Sequence, residues 1–142
     1  MSMSKDRYSF PAIFNYAADG ISIEFPDLPG CLPAAHGTDE AFKNAREALG
    51  LHLWGMENDG EKIPVPSPVE KLHPKSGETL AMIEVFMPSI RARVQKQFIK
   101  KTLSIPAWLN AAAEEADVNF SLTLQNALMQ QLDIDDPNRS QA

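Results

Sequence analysis

Residues 99–109 decide how the C-terminal third folds, and they read Ile99-Lys100-Lys101-Thr102-Leu103-Ser104-Ile105-Pro106-Ala107-Trp108-Leu109. Apolar and polar residues alternate over the first seven positions, which predicts a short β-strand. Pro106 ends that strand and opens a helical pattern, because proline is tolerated in the first turn of a helix but not inside a sheet. The surrounding segment, from 89 to 113, contains no acidic residue and five basic ones: Arg91, Arg93, Lys96, Lys100 and Lys101. A basic segment in a chain of net charge −6 suggests contact with nucleic acid.

Length and composition are those of an ordinary globular protein. The chain has 142 residues, of which 44% are hydrophobic and 23% charged, enough for one medium domain or two small ones. No apolar run approaches the roughly 18 residues that a membrane-spanning helix requires, and the N-terminus carries no apolar signal sequence. Cys31 is the only cysteine, which excludes an intramolecular disulfide and a cysteine-based zinc cluster. We therefore expect a cytoplasmic protein with no membrane association and no cofactor.

The charge is divided unevenly along the chain. Residues 1–88 carry 7 basic and 13 acidic side chains, a net charge of −6, whereas residues 89–142 carry 6 of each. The acidic part is expected to repel nucleic acid and to suit a basic protein partner. The C-terminal part keeps its basic residues together despite a neutral sum.

Two strands joined by a tight turn begin the N-terminal half. Residues 8–16 and 21–25 are rich in aromatic and branched side chains, and the Asp19-Gly20 pair between them is a strong hairpin signal. Pro11 lies inside the first strand and cannot donate a backbone hydrogen bond. It therefore predicts an edge position or a bulge.

The rest of this half predicts one helix and up to two further strands. Residues 32–36 suggest a short third strand, and Thr38 is expected to cap a helix that runs through about Met56. Residues 79–87 are almost continuously apolar, as is typical of a central strand covered on both faces. Together these elements predict an α+β fold, with a small, mainly antiparallel sheet and one covering helix.

The composition changes near Pro88, where we place a domain boundary. The predicted organisation is an N-terminal domain over 1–88, a linker over 89–98, a C-terminal domain over 99–134, and a disordered polar tail over 135–142.

The C-terminal domain is too small to fold alone. It consists of the strand 99–105 and two predicted helices, at about 107–116 and 121–132, a total below the size at which a monomer can build a sufficient core. A lone strand also leaves an open edge. Pairing of two copies removes both problems, so we predict a homodimer, with association of dimers into a tetramer left open. The expected dimer core consists of apolar residues of all three elements: Ile99, Leu103, Ile105, Trp108, Leu124 and Leu128.

Both halves resemble parts of a known family. The C-terminal segment, Lys100-Lys101-Thr102-Leu103-Ser104-Ile105-Pro106 with Asn119-Phe120-Ser121-Leu122-Thr123-Leu124, resembles the ribbon–helix–helix DNA-binding domain. The first half resembles HicB-type antitoxins in the string Ile23-Glu24-Phe25-Pro26-Asp27-Leu28-Pro29-Gly30-Cys31, in the helix 40–49, and in Ile63-Pro64-Val65-Pro66-Ser67. The resemblance implies a truncated RNase H-like sheet in the N-terminal domain. It also implies a HicA-type mRNA-cleaving toxin as partner and repression of the shared operon through operator DNA.

The ribbon–helix–helix resemblance, together with the strand alternation, assigns DNA contacts. Lys100, Thr102 and Ser104 share the face that a paired ribbon turns toward the bases, and Lys101 bends out toward phosphate. Asn119-Phe120-Ser121 opens the second helix, where free backbone N–H groups can hold a phosphate. The alternatives are a solvated strand face for the first group and plain N-capping by Asn119 or Ser121 for the second.

Contacts with the toxin are assigned by charge and expected exposure, to Asp27, Leu28, Asp39 and Glu40. Packing of the loop within the domain is an equally weighted alternative for residues 26–31. RNase H-like catalysis needs clustered carboxylates around metal ions, and Asp19, Glu24 and Asp27 do not form such a pattern, so no enzyme is predicted.

Three functions are thus in competition. The first is an antitoxin that binds a HicA-type toxin and represses its own operon. The second is an RNA-binding or degenerate nuclease-like protein whose C-terminal half serves only for oligomerisation. The third is an oligomeric scaffold without affinity for nucleic acid.

Overall fold

The computed structural model describes residues 5–135, and the chain divides into one compact unit of residues 1–98 and a second of residues 99–142. The first unit contains β1 (Arg7–Ala17), β2 (Gly20–Glu24), β3 (Ala34–Ala35), α1 (Thr38–Asn58), β4 (Glu78–Phe86) and α2 (Met87–Gln95). A single 3-10 turn lies at Val69–Lys71. The second unit contains α3 (Ala107–Glu115) and α4 (Phe120–Leu132).

The four strands form one antiparallel sheet in the order β3-β2-β1-β4. The predicted hairpin is present, with Phe14 opposite Ile23 and Ala17 opposite Gly20. Gly20 has a φ of 145°, and a Cβ there would lie 2.9 Å from the carbonyl oxygen of Ala35, so the turn requires glycine. The α+β class and the antiparallel sheet are confirmed, and the relation to RNase H stays a prediction.

The hydrophobic core lies between one face of the sheet and α1. Side chains alternate along strands, so Phe10, Ala12 and Phe14 of β1 point to the same side and are fully buried. The buried face of α1 consists of small residues and two leucines: Ala41, Ala45, Leu49, Gly50 and Leu53. These alanines let the helix approach the phenylalanines of the sheet closely.

Gly50 marks a close contact between α1, α2 and β4. A Cβ at that position would lie 2.7 Å from Cγ1 of Ile90 and 3.1 Å from Cγ2 of Val85. Glycine is a poor residue for a helix interior, so its presence in the middle of α1 is explained by the approach of α2 and β4. The helical periodicity of α1 does not reveal this requirement.

Strand β4 is at the edge of the sheet, and the prediction of a central strand covered on both faces is wrong. Among the described strands β4 pairs only with β1, and its side chains alternate between buried Ile83 and Val85 and exposed Met82 and Phe86. The apolar run is continuous because the face away from α1 also carries apolar residues, and these are open to solvent.

Pro11 is fully buried, in a stretch of β1 that is paired with another strand on one side only. The strand itself is internal, but β2 pairs only with residues 13–17, so Pro11 has a strand neighbour only at β4, where it lies opposite Met82. The missing N–H of proline costs no ladder hydrogen bond on the side without a neighbour. β1 is an internal strand, but at Pro11 it has a neighbouring strand on one side only, as an edge strand does.

Two boundaries differ from the predictions. Thr38 is the first residue of α1, and the N-cap position belongs to Gly37 with no side-chain cap. The segment 89–98 is not a linker over most of its length, since α2 spans Met87–Gln95 and buries Met87 and Ile90 against the core. The basic composition around Arg91 concealed this helix because its apolar face is only two or three residues wide.

The second unit has helices but no ladder within the single chain. Residues 97–106 have no regular secondary structure, so the predicted strand 99–105 pairs with no other described strand. α3 and α4 match the predicted helices to within one residue at each end, and neither contains a buried residue. The predicted disordered tail lies, apart from Asp135, outside the described residues.

Candidate DNA-binding and partner-binding surfaces

The segment 97–106 exposes both of the residue sets that alternate along it. Lys100, Thr102 and Ser104 are exposed, as the predicted base-reading face requires. Ile99 and Leu103 are exposed as well, Ile99 with 86% of its surface accessible. Burying apolar side chains is favourable. The exposure of Ile99 and Leu103 therefore indicates that this segment lacks a packing partner in the single chain.

The helices of the second unit show the same pattern. Trp108 is 73% exposed, and Leu124 and Leu128 are exposed on α4. A group of exposed apolar residues on neighbouring elements indicates a binding surface. α3 and α4 carry such a group, and neither helix contains a buried residue. All six residues of the predicted dimer core are thus available to a partner chain.

The turn between α3 and α4 is built by two polar residues. Asp117 adopts a left-handed conformation with φ of 57°, which ends α3. The side chain of Asn119 accepts a hydrogen bond from the backbone N–H of Leu122 at 3.0 Å. Asn119 is therefore the N-cap of α4, and Phe120 and Ser121 are exposed in its first turn. Phosphate binding at this turn stays a prediction.

Asp27 is engaged inside the first unit. One of its carboxylate oxygens accepts a hydrogen bond from the backbone N–H of Ser67 at 2.9 Å, and the other accepts one from the Ser67 hydroxyl. The two family-like strings, 23–31 and 63–67, are thus tied to each other by these bonds. The alternative of loop packing gains support for this residue.

Leu28 is only 1% exposed, so the expectation that it is accessible to a toxin is wrong. Its backbone N–H donates to the carbonyl of Phe25 at 2.9 Å, and that turn folds its side chain into the core. Cys31 closes the same loop and is buried, and desolvation raises the pKa of its thiol to about 11.

Asp39 and Glu40 lie exposed in the first turn of α1. Glu40 accepts a hydrogen bond from the backbone N–H of His36 at 3.4 Å. Carboxylates are stabilised at the positive end of the helix dipole. This stabilisation explains the position of both residues and does not require a contact with the toxin. They remain accessible from solution.

Arg91 and Arg93 are bound within the first unit. Arg91 donates to both carboxylate oxygens of Glu57, at 3.0 and 2.7 Å, and Arg93 lies 3.3 Å from Glu47. The hydrogen bond to Glu57 raises the pKa of Arg91. Two of the five basic residues that suggest DNA binding are thus neutralised by carboxylates of α1.

Assigning α2 to the first unit also changes the charge of both parts. Residues 1–98 carry 10 basic and 13 acidic side chains, a net charge of −3. Residues 99–142 carry 3 basic and 6 acidic ones, also −3. The positive charge of the candidate DNA-binding segment is therefore that of Lys100 and Lys101.

Metal-ligand clusters and membrane-spanning helices are both missing from the part of the chain that the structure describes. Between residues 5 and 135, no group of three or more His, Cys, Asp or Glu side chains is placed to hold a metal ion. No helix in the same range is long and apolar enough to span a bilayer.

A family model for the HicB-like antitoxins of bacterial toxin–antitoxin systems matches residues 10–128. The chain belongs to this family. The match covers both units, so the resemblance proposed from the sequence is confirmed at the level of the family. A protein of 14.9 kDa from the rep–hol intergenic region of Haemophilus phage HP1, described as uncharacterised, is 37% identical over 62 residues. This match covers 44% of the present chain and 47% of the phage protein, about half of its length.

Solved structures share the fold of this HicB-like chain. A toxin–antitoxin complex from Streptococcus pneumoniae contains a chain with 23% identity and a TM-score of 0.57, covering 88% of this chain and 99% of that one. The antitoxin HicB of Burkholderia pseudomallei has 24% identity and a TM-score of 0.51, with 88% and 98% coverage. At such identities the likeness concerns the fold alone.

Proposed function

We propose that this HicB-like antitoxin neutralises a HicA-type, mRNA-cleaving toxin by direct binding through residues 1–98, and represses its own operon through a dimer of residues 99–135. The observation that carries the second half is the absence of any buried residue in α3 and α4, the only helices of their unit among the described residues. A unit of this size gains a core when two copies combine.

Pairing of two 99–105 segments would create a two-stranded ribbon. Strand side chains alternate, so burying Ile99, Leu103 and Ile105 against the helices turns Lys100, Thr102 and Ser104 outward. A two-stranded ribbon fits the major groove of B-DNA. Lysine can donate to guanine, and the two hydroxyls can donate or accept.

Backbone contacts would complete this DNA interface. Lys101 lies next to the base-reading set and is exposed, so its ammonium group would contact a phosphate of bound DNA. The first turn of α4 offers free N–H groups beside Phe120 and Ser121 for a second phosphate. Such contacts fix the position of the ribbon on the duplex, whereas Lys100, Thr102 and Ser104 discriminate between sequences.

The first half of the proposal is supported by the independent core of the first unit. That unit buries Phe10 and Phe14 of β1, Phe25 directly after β2, and the apolar face of α1, without any contribution from residues beyond 98. Its net charge of −3 suits a basic protein partner. The division into two units allows toxin binding and DNA binding to occur on separate parts of the chain.

The DNA arm is tested with a gel-shift assay on the DNA directly upstream of the gene. The triple variant Lys100→Ala/Thr102→Ala/Ser104→Ala is expected to lose the salt-sensitive shift of the wild type. The matched control Lys75→Ala/Ser76→Ala/Thr79→Ala removes the same residue types from the first unit and is expected to leave the shift unchanged. An undiminished shift by the first variant contradicts the ribbon.

The toxin arm is tested by co-expression with the protein of the adjacent reading frame. We expect that protein alone to stop growth and the full chain to restore it, and residues 1–98 to capture it in a pull-down. A shift of RNA but not of operator DNA, with no rescue of growth, would favour the RNA-binding alternative instead.

A further inference from the structure

Within the described residues, helices cover only one face of the sheet of the first unit. Ile83 and Val85 of β4 point to α1 and α2 and are 3% and 2% exposed, whereas Met82 and Phe86 point to the opposite side and are 50% and 42% exposed. That opposite side, which we call the outer face, also holds partly exposed Ile13 and fully buried Pro11 of β1, because both alternate with the inward-facing Ala12 and Phe14.

Carboxylates surround the apolar centre of the outer face. The register places Glu24 of β2 opposite Ile13, and Glu78 of β4 opposite Asn15. Glu84 lies on the same face, between Met82 and Phe86 in the alternation of β4. Arg7 provides a positive charge there, but it is paired with Glu84 at 2.8 Å and stacked over the ring of Phe86.

A depression of about 250 Å³ opens on this face beside β3. It is lined by apolar Ile13, Leu32 and Pro33, with Glu24 and Glu78 among its other residues. An apolar floor with carboxylates beside it suits the aliphatic stem and the charged end of a lysine or an arginine. Leu32 is itself exposed at the rim.

The free edge of β4 is less suitable as a binding site for a partner than the outer face. Nε of Arg46 on α1 donates to the carbonyl oxygen of Glu84 at 3.3 Å, so part of the backbone edge is already used. Charged side chains along an edge also oppose the addition of a further strand. Recognition through the side chains of the outer face fits these features better than strand addition does.

We propose that the outer face, centred on Met82, Ile13 and Glu24, is the surface with which the first unit binds the toxin. This inference rests on the proposed function, since the partner is a basic protein. Apolar positions at the centre and carboxylates around them match a partner with exposed apolar, lysine and arginine side chains. The outer face thereby replaces residues 26–31, where Leu28 is buried and Asp27 is bound to Ser67.

The experiment is a calorimetric titration of the full chain with the purified protein of the adjacent reading frame. Glu24→Lys/Met82→Lys is expected to weaken binding by at least about thirtyfold, the effect typical of a central interface residue. The matched control Leu51→Lys/Asp59→Lys changes one half-exposed apolar residue of α1 and the exposed carboxylate at the C-terminal end of that helix by the same charge. It is expected to change the affinity by less than about threefold.

A milder variant guards against misfolding. Glu24→Gln/Glu78→Gln keeps both side-chain shapes and the acceptor used by the backbone of Lys75, so the fold is retained, and binding should weaken and lose part of its salt dependence. The inference is overturned if both outer-face variants bind like the wild type, or if only the α1 variant loses affinity. It is also overturned if the outer-face variants alter self-association and leave toxin binding intact. Failure of the wild type itself to bind would instead contradict the proposed function.

Discussion

Arg91 of α2 holds Glu57 of α1 through two hydrogen bonds, with Nε to Oε2 at 3.0 Å and Nη2 to Oε1 at 2.7 Å. The same Nη2 donates to the backbone carbonyl of Lys5 at 2.7 Å, just before β1. One guanidinium therefore joins α2, the end of α1 and the start of the first strand. Because of this connection, α2 belongs to the first unit and the charge of Arg91 is not available to DNA.

Replacing Arg91 with alanine is expected to destabilise the chain by about 1–3 kcal/mol, because Glu57 loses both charge-assisted hydrogen bonds in a largely shielded position. Arg93→Ala breaks a longer and more exposed pair with Glu47 and should cost at most about 1 kcal/mol. Urea unfolding of the two variants provides the comparison. Equal losses would mean that the bidentate pair has no special role.

Gly50→Ala should destabilise the first unit by about 1–3 kcal/mol, since the added methyl group overlaps Ile90 and this outweighs the better helix propensity of alanine. Gly55 lies in the same helix, and a Cβ added there would meet nothing within 4 Å, so Gly55→Ala should stabilise by about 0.5–1 kcal/mol. Thermal unfolding of the two variants shows whether each substitution raises or lowers the stability. A stabilising Gly50→Ala would contradict the close packing of α2 on α1.

The buried thiol of Cys31 predicts a pH dependence. Its pKa is raised from 9.0 to about 11 by desolvation, so the folded state favours the protonated form. The corresponding stability, up to about 2–3 kcal/mol, is complete below pH 9 and is lost as the pH rises toward 11. Unfolding curves of the wild type should therefore lose more stability over this window than those of Cys31→Ala. Parallel losses would indicate a solvated thiol.

The salt dependence of the affinity for DNA reports how many basic residues contact the duplex. A dimer brings four lysine cations to the duplex, Lys101 twice at phosphate and Lys100 twice at the base edges. Four such charges give a slope of log affinity against log salt of about −4. Lys100→Ala/Lys101→Ala should remove most of this slope, while Arg93→Ala should leave it unchanged because Arg93 is paired with Glu47. A slope near about −7 would mean that the arginines of α2 also contact phosphate.

The elements of the fold could largely be predicted from sequence. Alternation, the Asp19-Gly20 turn and the helical spacing of Ala41, Ala45 and Leu49 define the hairpin and α1 because they are local signals. The position of β4 at the sheet edge could not be predicted from the sequence. An apolar run does not indicate whether Met82 has a neighbour on its open face. Sheet order is set by tertiary packing.

The candidate surfaces were predictable to different degrees. Exposure of Lys100 and Thr102 follows from a short pattern, whereas burial of Leu28 depends on a turn that folds it back toward Phe25. α2 was missed because its basic residues resemble a solvated linker, and only the position of Glu57 and Glu47 on α1 explains them. Charge along a sequence does not show which charges are paired in space.

Residues 99–135 of two copies are proposed to form one DNA-binding unit, and the variant Leu103→Glu tests this proposal. Sedimentation velocity and a gel shift on the upstream DNA are measured for this variant and for the control Val65→Glu, which is exposed in the first unit. We expect the wild type and the control to be dimeric or larger and to bind DNA, and Leu103→Glu to be a monomer that no longer binds DNA. A Leu103→Glu chain that stays associated and shifts the DNA like the wild type would contradict the claim.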